Sequence, residues 1–147
     1  MAGVEQIKNE ISDSVRTITF NCVADGAGAI PNTTTHTSSH DFIKGWFLYD
    51  VTAFPKPGGT APDEANVEIK DQNGLYLLGS IDDGVTEYAG LKLIHATGTR
   101  SCIPDKYNLG NTSHDSFFPI ITGPITLIVS DQGAAGAEYT IVLTFIK

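Results

Sequence analysis

Ala65-Asn66-Val67-Glu68-Ile69-Lys70-Asp71-Gln72-Asn73-Gly74-Leu75-Tyr76-Leu77-Leu78-Gly79-Ser80 decides the fold class. Val67 and Ile69 alternate with Glu68 and Lys70, which puts apolar side chains on one face of an extended chain and charges on the other. Asn73-Gly74 tolerates the positive φ of a tight turn, so the stretch reads as a β-hairpin hinged on Asp71–Gly74.

The same period of two recurs outward from this stretch. Val15–Ala24 alternates Ile18, Phe20 and Cys22 with Thr17, Thr19 and Asn21, and Glu138–Lys147 alternates Tyr139, Ile141, Leu143 and Phe145 with Thr140, Val142, Thr144 and Ile146. Asp41–Val51 reads as a strand with Trp46 and Leu48 on one face and Ile43, Phe47, Tyr49 and Val51 on the other, so both faces are expected to be covered. Phe117–Thr122 and Ile125–Ser130 read as two strands joined at Gly123-Pro124, and Val85–Ile94 as a short strand or an irregular crossing. Pro55-Lys56-Pro57-Gly58-Gly59 stops the strand that begins at Asp41, because proline has no N–H for a ladder. Strands punctuated by Gly, Pro and Asp turns, with almost no helical periodicity, predict an all-β, single-domain antiparallel β-sandwich or jelly-roll-like barrel with long loops. Its expected core is Ile18, Phe20, Trp46, Leu48, Val67, Ile69, Leu77, Ile125, Leu127, Val129, Ile141, Leu143 and Phe145.

Two segments stand outside this pattern. Residues 1–13 place Val4, Ile7 and Ile11 at helical spacing but are too short to hold a helix alone, and are expected to be an N-terminal arm appended to a 14–147 β-sandwich domain. Asp25–Ser39 and Ala96–Ser116 read as long polar loops, the first with nothing to supply a packed face.

A chain of 147 residues is one domain's worth and buries a core without staples. Nine basic against seventeen acidic residues give a formal charge of −8, so the basic footprint of nucleic-acid binding is missing. No apolar run approaches a membrane span or a secretion signal, so synthesis and folding in a cytosol are expected, with no membrane partner. Cys22 and Cys102 lack a nearby second cysteine and read as buried free thiols.

No catalytic constellation is visible. Ser39-His40-Asp41 holds triad residue types as sequence neighbours, whose side chains point apart in a strand. His36 and His40 would share a face only of a helix, which Thr33-Thr34-Thr35 and Ser38-Ser39 argue against, while His95 and His114 stand alone. Asp82, Asp83 and Glu87 lack the alternating oxygen donors of a calcium loop. No cofactor or metal is expected. Trp46, Tyr49, Tyr76, Tyr88 and Tyr107 could form a sugar-stacking platform, although Trp46 between Gly45 and Phe47 reads better as core.

Gly45-Trp46-Phe47-Leu48-Tyr49-Asp50-Val51-Thr52, Pro57-Gly58-Gly59-Thr60-Ala61-Pro62-Asp63, Val67-Glu68-Ile69-Lys70-Asp71 with Asn73-Gly74 and Leu78-Gly79, and later Gly123-Pro124-Ile125-Thr126-Leu127-Ile128-Val129-Ser130, resemble small virion proteins of tailed bacteriophages. The resemblance covers roughly residues 43 to 147 and is one of turns and strands; the Ala96–Ser116 insertion and the Thr-rich loop after Asp25 depart from it. It implies a non-enzymatic structural component of the virion, made in the host bacterial cytoplasm. The expected role is a capsid decoration protein, with a neck or tail position as the alternative and a carbohydrate-binding host-recognition module, with a glycan partner, as the other class. Other virion proteins and further copies of the chain in a homo-oligomer are the expected partners. Ile7, Ile11, Phe117, Phe118, Val142 and Ile146 are the expected contacts, since the last strand is apolar on both faces.

Overall fold

The computed structural model describes residues 2–63, 65–78, 80–82, 87–89, 91–93, 100–102, 118–130 and 132–147, with the backbone alone for 80–82, 87–89, 91–93 and 100–102. In chain order the elements are β1 (Gly3–Ser12), β2 (Val15–Val23), β3 (Thr33–Thr34), α1 (Thr37–Ile43), β4 (Phe47–Pro55), β5 (Ala65–Lys70), β6 (Ser80–Asp82), β7 (Glu87–Ala89), β8 (Leu91–Leu93), β9 (Arg100–Cys102), β10 (Thr126–Ser130) and β11 (Glu138–Ile146). All pairing between these strands is antiparallel. The fold is all-β, with one short helix.

Two sheets share a core in a sandwich-like arrangement. The first runs β1-β2-β11-β4-β9 and the second β3-β10-β5-β8, with β6 and β7 forming a separate ribbon. From the first sheet, Ile18, Phe20, Cys22, Leu48, Val51, Ala53, Tyr139, Ile141, Leu143 and Phe145 are buried; from the second, Val67, Ile69 and Leu127, joined by Ile43, Trp46, Leu77, Ile121 and Ile125. Register keeps these on one side of each sheet: Phe20 faces Ile141, which faces Ala53, and Ile69 faces Leu127. Every residue of the expected core is buried except Val129, which is partly covered and packs against the rest.

The Asp71–Gly74 turn forms as read. Asp71 Oδ1 accepts from the Asn73 and Leu75 amides at 2.8 and 2.9 Å, and Gly74 takes φ +79°, a conformation that costs a side-chain-bearing residue. The returning arm is shorter than expected. It makes a bridge from Tyr76 to Lys70 and a bond from Leu77 N to Ile69 O, after which β8 borders β5 along Ala65–Val67.

Other readings are corrected. Gly3–Ser12 is not an arm but a ten-residue edge strand paired with β2 from Gly3–Val23 to Ser12–Val15. Its alternation is hidden because the positions facing inward after Val4 are polar: Gln6 bonds Thr34 O and His36 N at 3.0 and 3.1 Å, Lys8 lies over the Phe42 ring, and Glu10 lies 3.8 Å from Arg16. Thr37–Ile43 is a helix despite its poor formers, since burial of Ser39 and Ile43 outweighs propensity over so short a span; Asp41–Ile43 therefore belongs to the helix and β4 begins only at Phe47. Residues 118–121 are not a strand, for Pro119 has no N–H; the segment runs beside β4 through Pro119 O, Ile121 N and Ile121 O.

The Asp25–Ser39 loop also packs. Asp25 Oδ1 accepts from Ala27 N and Ala29 N at 2.8 Å each, Ile30 and Thr35 are buried, and Thr33–Thr34 pairs with β10. Gly28, at φ +84°, lies so close to Gly133 that an added Cβ would stand 2.6 Å from its carbonyl carbon.

Candidate interaction surface

The outer face of the first sheet can be read row by row from its register. Glu5, Asn21, Thr140 and Phe54 form one row; Ile7, Thr19, Val142 and Thr52 the next; Asn9, Thr17, Thr144 and Asp50 a third. These rows are mostly hydroxyls and amides that bond among themselves. Asn21 donates to Glu5 at 3.1 Å, Thr140 to Asn21 at 3.1 Å and Thr52 to Asp50 at 2.8 Å.

The fourth row changes character. Ser12, Val15, Ile146 and Phe47 face one another across four strands, and Phe47 bridges Ile120. A bulge in β1 adds Ile11 beside Ser12, and one in β4 adds Tyr49, since Thr144 faces Asp50 while Phe145 faces Leu48. The β4 bulge also turns Val51 into the core, contrary to the sequence alternation. Ile11 is 59% exposed, Ile120 50%, Tyr49 46%, Phe47 37% and Phe118 36%. The Tyr49 and Phe118 rings meet at 5.2 Å with a 48° tilt, a favourable aromatic contact. The result is an apolar stripe along one end of a face whose other rows are mostly polar.

Of the expected contact residues, Ile11, Ile146 and Phe118 lie on or beside this stripe. Ile7 and Val142 share the threonine row instead, and Phe117 lies outside the described residues. Val15, Phe47, Tyr49 and Ile120 belong to the stripe although the sequence did not mark them as contacts. Their one signal is the Phe47/Tyr49 alternation, a face expected to be covered; among the described residues both side chains stay exposed.

Behind the stripe, Arg16 points inward and is clamped between aromatic rings, its guanidinium carbon 4.4 Å from the Phe42 centroid and 4.3 Å from that of Trp46. Nη1 donates to Phe42 O, and Lys147 approaches Trp46 from 5.7 Å. Trp46 is 4% exposed, so its face is taken by a cation rather than open to a sugar. Of the other stacking candidates, Tyr49 meets the Phe118 ring and the Tyr76 ring lies under the Lys70 ammonium at 4.4 Å, while Tyr107 and the side chain of Tyr88 lie outside the described residues.

At the opposite end of the sheet a cavity of about 500 Å³ is bordered by Glu5, Asn21, Lys56, Glu138 and Tyr139 among others. Its charged groups are already engaged, Lys56 with Glu138 and Glu5 with Asn21. Burial pushes the Cys22 thiol up to about 12; burial and then Cys22 push the Tyr139 phenol up. Both groups stay protonated at neutral pH, and neither is a ready nucleophile.

His36 and His40 do stand four residues apart around α1, with His40 N donating to His36 O, and His40 Nδ1 lies 3.6 Å from Asp41. No group of three His, Cys, Asp or Glu side chains converges among the described residues; His95, His114, Asp83 and the side chains of Asp82, Glu87 and Cys102 lie outside them. No helix among the described residues is long and apolar enough to cross a membrane. No protein-family model matches the chain, and no curated protein matches it.

Proposed function

We propose that this protein is a non-enzymatic structural component of a tailed-bacteriophage particle, a capsid decoration protein that attaches to neighbouring virion subunits by burying its apolar stripe. The observation that carries the reading is the concentration of Ile11, Phe47, Tyr49, Phe118 and Ile120 at one end of a face whose other rows are mostly hydroxyls, amides and carboxylates, with Ile7, Val142 and Phe54 as their apolar members. Scattered exposed apolar residues need no explanation, whereas a contiguous set spanning several strands marks a surface made to be covered. The resemblance of its turns and strands to small virion proteins is what suggests the setting. A stable interface of this kind buries about 1,200 Å² or more.

The test is co-sedimentation of the purified protein with expanded heads of the encoding phage assembled without it. Saturable pelleting, abolished in Phe47→Asp, is the expected result. Absence of pelleting overturns the decoration role and moves the protein to a neck or tail position; a glycan-dependent quench of tyrosine fluorescence would instead favour the host-recognition module.

A further inference from the structure

We infer that β1 is a second, separate interface at which two copies of this chain join edge to edge, extending the five-stranded sheet across a twofold axis at Asn9. The inference does not depend on the particle setting, and it uses the strand edge, with Ile11 its one residue in common with the stripe. β1 stands at the end of its sheet and pairs, among the described residues, with β2 alone. It is ten residues long, contains no proline, and exposes Ile7 by 43% and Ile11 by 59%. A row of N–H and C=O groups of that length with no strand partner among the described residues is a template for another strand.

Charge chooses the occupant. Inward-pointing charges and bulges are common ways of blunting an edge, and here the bulge comes only at the far end, after Glu10. The charges before it are self-complementary. In an antiparallel pair centred on Asn9, Lys8 of each copy faces Glu10 of the other, and Ile7 of each copy faces Ile11 of the other. Each Glu10 then lies between the Lys8 of the second copy and its own Arg16, which is 3.8 Å away. Centring the pair on Lys8 sets two lysines against each other. Centring it on Ile7 leaves Lys8 facing Gln6 and Glu10 facing Val4, with no ion pair. Residues directly opposite must share a face, so intermediate registers are excluded. A twofold interface of this kind is closed, giving a dimer rather than a fibre.

The test is charge exchange read by analytical ultracentrifugation. The unchanged chain is expected to be a concentration-dependent dimer. Lys8→Glu alone and Glu10→Lys alone each place like charges opposite one another twice and are expected to weaken the dimer at least about ten-fold. An equal mixture of the two variants is expected to regain it as a heterodimer, because both carboxylates of one strand then face both ammonium groups of the other, an outcome no loss of folding can mimic. Asn9→Cys is expected to cross-link two copies under mild oxidation where the unchanged chain does not, since facing Cα atoms at about 4.5–5.5 Å are within disulfide reach. A monomer at all concentrations, variants that dimerise as well as the unchanged chain, or a mixture that stays monomeric would each overturn the inference; cross-linking through Ile7→Cys instead of Asn9→Cys would overturn its register.

Discussion

The two ends of the outer face of the first sheet are built from the same strands and solve the same problem differently. At one end Asn21, Thr140, Glu5, Thr52 and Asp50 satisfy one another through hydrogen bonds, so water alone suffices as their environment. At the other, Ile11, Val15, Ile146, Phe47 and Ile120 leave apolar area with nothing in the described chain over it. Solubility does not require the second arrangement, since threonine would serve in those rows as it does in the neighbouring ones. A residue pattern that forgoes the polar solution along a whole row, where the other rows hold single apolar side chains such as Phe54 or a pair such as Ile7 and Val142, points to a function for that end.

One step along β11 crosses from the core to the outer face. Phe145 is fully buried whereas Ile146 faces outward. Phe145→Ala is expected to cost about 3–5 kcal/mol in urea unfolding, as a large core deletion does. Next in size is alkaline pH, which probes the core behind the polar end. The Cys22 thiol sits at about 12 in the folded chain against 9.0 when free. Its folded pKa is raised, so its contribution is fully present below pH 9 and is lost between pH 9 and 12, at up to about 1.4 kcal/mol per unit. Thermal unfolding in that window is expected to show a fall that Cys22→Ala reduces. Ile146→Asp should then cost only about 1 kcal/mol, leaving a soluble folded chain that no longer pellets with heads; unfolding would assign the position to the core, and unchanged association would remove it from the contact. Smallest is Thr144→Ile, which carries the stripe into the next row. Stability should shift by no more than about 0.5 kcal/mol while affinity for heads rises.

How much of this was legible in the sequence depended on which face a strand buried. β2, β5 and β11 bury one face against apolar partners, so their period of two is plain and marks their inward residues. β1 shows no alternation because its inward side meets a loop through Gln6, the Phe42 ring through Lys8 and Arg16 through Glu10 rather than a hydrophobic layer. α1 was missed because burial, not propensity, holds its single pair of turns. In the surface, Ile11, Phe118 and Ile146 could be read as unexplained apolar positions. Phe47, Tyr49 and Ile120 could not, because a bulge and a proline-interrupted segment brought them together, and neither leaves a periodic trace.

The position of β11 has a kinetic consequence. It lies between β2 and β4 in the first sheet, yet follows both by most of the chain's length. Neither inner face there can close until Glu138–Ile146 has been synthesised and has left the ribosome. Sheet closure thus waits on contacts of large sequence separation, which places folding in the slow, millisecond-to-second class of β topologies. Until then β2 and β4 expose the apolar rows that β11 will join, which makes the nascent chain, rather than the finished protein, the species most exposed to aggregation and most in need of chaperone cover.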